Sequence, residues 1–288
     1  MEMYVDLIKN IQNNFNSLSK GQKQIAEFII NHYDKAAFMT ASILGQTVDV
    51  SESTVVRFAN TLGYDGYRDL QKELHELVKN KLTTVQRLSM SSEYTNKGNA
   101  LKKAMRKDVE NIEKTINEID LNTFQESINL ILKAENVYIL GLRSSSFLAG
   151  YLGFYLSFIL KNVKVIISGP NDVFEQLFRA DSKDLIIGIS YPRYSKRTLE
   201  ALDFCREKGC KIISITDSLI SPASKDSDIS LIASSDMLSF VDSLVAPMSL
   251  INALIVSIGM EKKEDITSSF EDLEYIWNKY NVYDENSK

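Results

Sequence analysis

The chain is poor in cysteine and histidine, with two of each among its 288 residues. Cys205 and Cys210 lie five residues apart in a segment that is predicted to pass from a helix into a strand. No histidine or acidic cluster is near them to complete a metal site, so we expect buried thiols and neither a metal site nor a disulfide. Both histidines, His32 and His75, lie in the first third of the chain, so the remainder has no imidazole.

Long apolar runs are also absent. No segment reaches the roughly 20 apolar residues that span a bilayer, and no N-terminal run joins a charged segment to an apolar stretch. We therefore expect a cytoplasmic protein with no membrane partner and no cofactor. The 44% hydrophobic and 25% charged residues are typical of a globular protein. The length of 288 residues suits two domains better than one.

Residues 42–70 have the spacing of a helix-turn-helix, in which two short helices pack at a steep angle. Gly45 is small where the helices would approach most closely. Asp49 lies where the turn needs a residue that tolerates positive φ. Ser51 precedes the second helix, so its hydroxyl can accept a hydrogen bond from the amide of Thr54 as an N-cap.

The second of these helices has two different faces. One face is apolar and is predicted to pack in the core, through Val55, Phe58, Ala59 and Leu62. The other carries hydroxyls, a guanidinium and a carboxamide, which are groups that reach base edges and phosphates. An ordinary surface helix is the alternative. After a turn at Gly63 another helix begins, where the phosphate backbone could be contacted. The predicted DNA-contacting residues are Ser51, Ser53, Thr54, Arg57, Asn60, Tyr64, Tyr67 and Arg68.

Charge argues against DNA binding in the first 80 residues, because eight basic residues face ten acidic ones. Between residues 81 and 107 the sign reverses, with seven basic residues and one acidic residue. This stretch is rich in Ser, Thr, Asn and Gly, which predicts an interdomain linker. Its basic residues either contact DNA phosphates or only solvate an exposed connection, and these include Lys102, Lys103, Arg106 and Lys107.

Five short apolar runs alternate with helical segments in the second part of the chain. This pattern predicts a parallel sheet that is covered on both faces. Ligands of such sheets bind beyond the carboxyl ends of the strands. The predicted strands are 137–140, 163–167, 185–190, 211–216 and 229–233.

Two of the predicted strands end in loops that carry several hydroxyls and an arginine. After the first strand, Gly141 allows a tight turn and Ser144 begins a helix, so amides and hydroxyls can converge on an anion. The alternative is that the hydroxyls only cap two helices. Because the two strands should be neighbours, we favour a phosphate site. The groups of the third strand's loop are Ser190, Arg193, Ser195 and Thr198.

The chain resembles the RpiR-type transcriptional regulators. The resemblance is carried by LSKGQKQIAEFIINHYDKAAFMT and VSESTVVRFANTLGYDGYRDLQKEL in the first part, and by the sugar isomerase (SIS) pattern in the second. It implies an all-α helix-turn-helix N-terminal domain followed by a doubly wound five-stranded parallel-sheet SIS domain. The implied DNA-binding domain is 1–79, the linker 80–107, and the SIS domain with a C-terminal helical tail 108–288.

SIS domains bind phosphosugars through a GxxS turn and an S-x-S-G-x-T loop. Gly141 and Ser144 match the turn, and the serines and threonine of the later loop are also present. A three-residue expansion within that loop loses the usual glycine and introduces Arg193. The implied ligand is a phosphorylated sugar or sugar acid. The expected ligand-binding residues are Gly141, Arg143, Ser144, Ser145, Ser190, Arg193, Ser195 and Thr198.

A phosphosugar isomerase with a fused N-terminal helical domain is the alternative function. Isomerisation needs a general base near neutral pKa, and the SIS half has no histidine. Glu175, Asp217 or Asp242 could serve only if burial raised its pKa. We therefore expect no enzyme, but a DNA-binding transcriptional regulator whose activity a phosphosugar modulates.

Self-association is expected as well, because helix-turn-helix proteins generally contact two half-sites related by a twofold axis. The segment LVAPMSLINALIVSIGM, residues 244–260, is hydrophobic nearly all round. We predict that this helix is partly shared with a partner. The expected partners are a double-stranded DNA operator, a phosphosugar effector, and further copies of the chain in a homodimer or homotetramer.

Overall fold

The structure is a computed structural model that describes residues 7–81, 84–85, 87–88, 99–225 and 227–283. Internal contacts divide the chain into two compact units, Met1–Ser89 and Met90–Lys288. Parts of the predicted linker, residues 82–83, 86 and 89–98, lie outside the described residues. The domain boundaries stay predictions.

The first unit is helical throughout its described elements. Helix α2 begins sharply because Ser19 and Gln22 form a capping box, in which each side chain bonds the other's backbone amide. Its elements are α1 Leu7–Asn14, a 3₁₀ turn Phe15–Ser17, α2 Lys20–Ala36, α3 Ala41–Thr47, α4 Glu52–Thr61 and α5 Tyr67–Lys81.

The turn between α3 and α4 has the geometry that its sequence predicts. A Cβ added to Gly45 would lie 2.8 Å from the carbonyl oxygen of Val50, so only glycine fits there. Asp49 adopts a φ of 55°, and Ser51 Oγ accepts a hydrogen bond from the amide of Thr54 at 3.3 Å. The apolar face of α4 is buried at Val55, Phe58, Ala59 and Leu62.

The second unit is a five-stranded parallel sheet with helices on both faces. The strand order is β2-β1-β3-β4-β5, which confirms the predicted doubly wound sheet. Each strand lies within one residue of its predicted bounds. The elements are α6 Ala100–Glu118, α7 Leu121–Lys133, β1 Val137–Gly141, α8 Ser145–Ile159, β2 Val163–Ile166, α9 Val173–Leu177, β3 Leu185–Ile189, α10 Lys196–Glu207, β4 Lys211–Thr216, β5 Ile229–Ile232, α11 Val245–Glu261 and α12 Lys263–Lys279.

Residues 100–107, expected in the linker, form the first turns of α6. Lys102, Lys103, Arg106 and Lys107 therefore lie on a helix and not on an extended connection. Lys107 also has carboxylate neighbours, since its Nζ lies 3.3 Å from Glu110 Oε2 and 3.9 Å from Asp236 Oδ2.

The sheet has a separate apolar core on each face, because successive strand residues point to opposite sides. Ile139 and Ile187 pack with α7, α8 and α11 on one face. Tyr138 and Ile186 pack with α9 and α10 on the other. Both faces are thus covered, which explains why the strands are continuous apolar runs.

Cys205 and Cys210 are free and buried, as predicted. Burial raises the pKa of the Cys205 thiol to about 12, which keeps it protonated and unreactive at neutral pH. Across the described residues, no helix has the length and apolar character needed to cross a membrane.

Candidate functional site

Helix α4 presents a polar surface at its N-terminal turns. Ser51 Oγ lies 2.9 Å from Ser53 Oγ and 2.8 Å from Thr54 Oγ1, so three hydroxyls are clustered there. Arg57 Nε donates to the carbonyl of Ser53 at 3.2 Å, which holds the exposed guanidinium along the same turn. Asn60 is exposed one turn further on. Five predicted DNA-contacting residues therefore share one accessible helix face.

The first turn of α2 borders this surface, a feature that sequence reasoning missed. An open groove of about 730 Å³ lies between the two helix starts. It is bordered by Ser19, Lys20 and Gln22 on one side and by Ser51 and Arg57 on the other. The capping box at Ser19 was the signal in the sequence, because it places a helix N-terminus at this point.

Two of the predicted DNA contacts are not fully exposed, since Tyr67 is buried and Tyr64 is half-buried. Tyr67 is only 6% exposed, and its hydroxyl donates to the carbonyl of Met39 at 2.8 Å. Tyr64 lies beyond the end of α4, and its hydroxyl donates to Glu73. Burial, together with Glu73, raises the pKa of Tyr64. Since both hydroxyls are used inside the helical unit, we remove these tyrosines from the candidate interface and retain the exposed Arg68.

The carboxyl ends of β1 and β3 lie side by side in the second unit. The two strands pair in parallel, and Gly141 is the register partner of Ile189. The strand order reverses here, because β2 lies on one side of β1 and β4 on the far side of β3. Such a switch point is where open α/β sheets bind ligands. The pairing confirms that these strands are neighbours.

The loop after β1 leads tightly into α8. A Cβ on Gly141 would lie 2.5 Å from the carbonyl oxygen of Ser145, so the turn requires glycine. Arg143 has a φ of 57°, and Ser146 Oγ donates to its carbonyl at 2.6 Å. Ser144, at the N-cap position, makes no capping hydrogen bond with its side chain in the described chain. The capping interpretation therefore fails for Ser144, whose exposed hydroxyl is available at a helix N-terminus.

The loop after β3 contains one hydroxyl that caps a helix and others that do not. Ser195 Oγ accepts from the amide of Thr198 at 3.4 Å and so caps α10. Ser190 is buried, and its amide donates to the carbonyl of Ile215 at 3.1 Å. Thr198 is 1% exposed, and its Oγ1 has no hydrogen-bond partner within the described part of the chain. Arg193 is exposed, with a φ of 62°.

Two tyrosines of the expanded loop were missed by sequence reasoning. Tyr191 is 5% exposed, and its hydroxyl finds no hydrogen-bond partner among the residues described. Burial, with a contribution from Asp217, raises its pKa well above the usual value. Tyr194 Oη donates to Asp217 Oδ1 at 2.8 Å. A buried hydroxyl without a partner costs about 1–3 kcal/mol, so Tyr191 and Thr198 point to a polar ligand or water at this edge.

Two of the three carboxylates considered as general bases, Glu175 and Asp217, accept hydrogen bonds within the second unit. Glu175 Oε2 accepts from the amide of Asp172 at 3.0 Å as part of the capping box of α9. Asp217 Oδ1 accepts from Tyr194 and, at 3.2 Å, from Thr216 Oγ1. These contacts give Glu175 and Asp217 structural roles.

The two units define a class of protein, a helix-turn-helix regulator joined to an α/β sugar-isomerase-type domain. Residues 5–81 match the family model described as helix-turn-helix domain, rpiR family. Residues 130–257 match the SIS domain model. Since the two models together cover well over half of the chain, in the expected order, the protein belongs to the RpiR family of transcriptional regulators.

Similar proteins agree with this assignment. An uncharacterized HTH-type transcriptional regulator of Clostridium perfringens is 25% identical over 232 residues, which cover 78% of this chain and 80% of that protein. The HTH-type transcriptional regulator HexR of Pseudomonas aeruginosa is 23% identical over 271 residues, covering 90% and 91%. Because these relatives are named as regulators, they support a regulatory role and not an enzymatic one.

The fold is also similar to the solved structure of NanR of Vibrio vulnificus, complexed with ManNAc-6P. The TM-score is 0.59 at 21% identity, and the match covers 96% of this chain and 99% of that one. At this identity the likeness shows the fold alone.

Proposed function

We propose that this regulator binds a double-stranded DNA operator through α4, and that a phosphorylated sugar or sugar acid bound at the ends of β1 and β3 changes its affinity for that operator. The pairing of β1 with β3 carries the ligand part, because it brings the two hydroxyl-rich loops together. The NanR structure, with its bound ManNAc-6P, supports the chemical class of the ligand.

On the DNA side, the proposed contacts are the accessible polar groups at the start of α4 and its neighbours. Arg57 is the group best suited to base readout, because a guanidinium can bond a guanine bidentately. The hydroxyls are placed to bond phosphates. The proposed set is Ser51, Ser53, Thr54, Arg57, Asn60 and Arg68, with Lys20 of α2 added from the groove.

On the ligand side, the phosphate is proposed to lie at the N-terminus of α8, where amides and the Ser144 hydroxyl meet it. Ser195 and Thr198 approach from the neighbouring strand end, and Arg143 or Arg193 neutralises the charge. Gly141, Ser145 and Ser190 shape the backbone around this anion. The buried hydroxyl of Tyr191 is proposed to reach the sugar.

Regulation requires that the ligand prefer one arrangement of the DNA-binding units over another, typically by about 1–3 kcal/mol. We propose a cytoplasmic homodimer or a larger symmetric assembly, because a twofold axis matches two operator half-sites.

A thermal-shift screen of the purified chain against a panel of phosphosugars tests the ligand part. Specific binding raises the unfolding midpoint by mass action, and ligand at about 100 times its Kd adds about 2.7 kcal/mol of stability. We expect at least one phosphosugar to raise the midpoint while the same sugar without phosphate does not. Equal shifts from both forms, or none from the whole panel, contradict the proposed phosphate site.

A further inference from the structure

Helix α6 has an apolar face that is exposed. Leu101, Met105, Val109 and Ile116 are 73, 60, 52 and 66% exposed, with the half-buried Ile112 between them. From Met105 onward their separations of four, three and four residues are those of helices that pair along a seam. Monomers rarely expose a contiguous apolar surface of this kind.

The orientation of α6 in its own unit is fixed by its opposite face. Asn111 Nδ2 donates to the carbonyl of Asp236 at 3.0 Å, and Thr115 Oγ1 accepts from the amide of Ser234 at 2.9 Å. Both residues are buried. The helix therefore cannot rotate to hide its apolar face without breaking these bonds.

An apolar groove of about 320 Å³ runs beside this face, between α6, α7 and α11. Ile116 and Leu121 line one side of it and Ala253 of α11 the other. It is larger than the roughly 150 Å³ cavity that holds a benzene molecule, so it has room for an aliphatic side chain from outside. Because the groove lies next to the exposed apolar face of α6, the groove and the face form a continuous surface.

The charges along α6 are self-complementary. Its N-terminal half carries Lys102 and Arg106 at the outer edge of the apolar face, and its C-terminal half carries Glu113 at the same edge. At 100° per residue, positions 106 and 113 differ by only about 20° around the helix. In an antiparallel pair related by a twofold axis, like edges face each other, so position 106 of one helix meets position 113 of the other.

We propose that α6 packs antiparallel against α6 of a second copy of this chain. The twofold axis lies near Val109, Arg106 of each copy faces Glu113 of the other, and Leu101 of each copy enters the other's groove. The proposal rests on the self-association in the proposed function. Because Ala253 of α11 lines this groove, α11 also contributes to the proposed interface.

Charge reversal tests the pairing in the full chain by analytical ultracentrifugation. Arg106→Glu and Glu113→Arg each place two like-charged pairs in the dimer, so each should raise the dimer dissociation constant about tenfold or more. The double variant restores both pairs with reversed sign and should dimerise like the parent. An equimolar mixture of the two single variants should form a heterodimer for the same reason.

Glu207→Arg provides the matched control, because it makes the same charge change on α10, which packs on the other face of the sheet. Circular dichroism verifies that each variant is folded. A monomeric parent overturns both the self-association and this surface. If the parent is a dimer and the single variants have the same dimer dissociation constant, only the α6 pairing is overturned. A double variant that stays dissociated also overturns only the α6 pairing.

A cross-link tests the position of the axis independently of charge. In Val109→Cys the two new thiols would face each other, within the 4.4–6.8 Å Cα separation of a disulfide, while Cys205 and Cys210 are buried. Oxidation with diamide should give a covalent dimer from Val109→Cys and none from Val256→Cys, on the exposed side of α11. A dimeric Val109→Cys protein that does not cross-link overturns the proposed axis.

Discussion

At the scale of single residues, hydroxyl groups with similar sequence contexts have different roles. Ser195 caps its helix, whereas Ser144 at the corresponding place does not. Tyr194 bonds Asp217, whereas Tyr191, three residues earlier, is buried and its hydroxyl has no hydrogen-bond partner among the residues that the structure describes. Function is therefore best sought at groups whose hydrogen-bonding capacity the fold leaves unused.

Arg57→Ala should weaken specific operator binding by about 1–3 kcal/mol, because one bidentate base contact contributes that much discrimination. The fold should be unaffected, since the side chain is exposed and its hydrogen bond is to Ser53 at the start of the same helix. Fluorescence anisotropy with operator DNA measures the loss. Arg206→Ala, an exposed arginine on α10, is the control and should leave operator affinity unchanged. Parental affinity in a folded Arg57→Ala protein excludes the proposed base contact.

Tyr191→Phe and Tyr194→Phe should change the stability of the ligand-free protein in opposite directions. Removing the unsatisfied Tyr191 hydroxyl should raise the free energy of unfolding by about 1 kcal/mol, and removing the Tyr194 bond to Asp217 should lower it by about 1–3 kcal/mol. Urea denaturation measures both changes. Phosphosugar affinity should fall in Tyr191→Phe despite its greater stability. A Tyr191→Phe protein that is less stable than the parent would show that its hydroxyl already has a partner.

At the scale of elements, much of the fold could be predicted from local sequence. The strands are recognised because burial on both faces makes them continuous apolar runs, and the start of α4 because Ser51 caps it locally. Contacts between distant residues could not be predicted in this way. The sequence places Tyr67 among the DNA contacts, because its actual partner Met39 lies 28 residues away and no local pattern reveals that hydrogen bond. The Tyr194–Asp217 hydrogen bond likewise spans 23 residues.

The start of α6 was missed for a different reason. Its lysines and its position after a polar segment indicated a linker, although Leu101 and Met105 continue the apolar period of the helix. Only the structure shows that this apolar side is exposed while Asn111 is buried. A polar residue inside and apolar residues outside reverse the usual pattern of an amphipathic helix.

Gly45→Ala and Gly150→Ala should have opposite effects on their helices. An added methyl group at Gly45 lies 2.8 Å from a backbone oxygen that cannot move away easily, so the helical unit should lose about 1–3 kcal/mol of stability. No other part of the described chain lies within 4 Å of the added group at Gly150 in α8, and alanine there should add about 0.5–1 kcal/mol. Thermal unfolding measures both. Similar stabilities for the two variants contradict the close approach of α3 and α4.

At the scale of the whole molecule, the proposed regulation links a ligand in one unit to DNA in the other. Ser144→Ala with Ser195→Ala removes two charge-assisted hydrogen bonds of about 1.5–3 kcal/mol each, so ligand affinity should fall at least about tenfold. Operator affinity without ligand should persist, because neither serine lies in the helical unit. Titration of the protein–operator complex with phosphosugar gives the ligand concentration at half response. The same midpoint in parent and double variant excludes these serines as phosphate ligands.

A ligand bound at the switch point between β1 and β3 should also change how the SIS unit fluctuates. Helix α8 belongs to the core on one face of the sheet and α10 to the core on the other, yet both begin at the proposed phosphate. An anion bonded to both helix starts would link helices that pack in separate cores on opposite faces of the sheet, so that local opening of one would be coupled to the other. Bound ligand should therefore slow amide hydrogen exchange in α8 and α10 together, whereas a ligand held by one loop alone would protect only one of them.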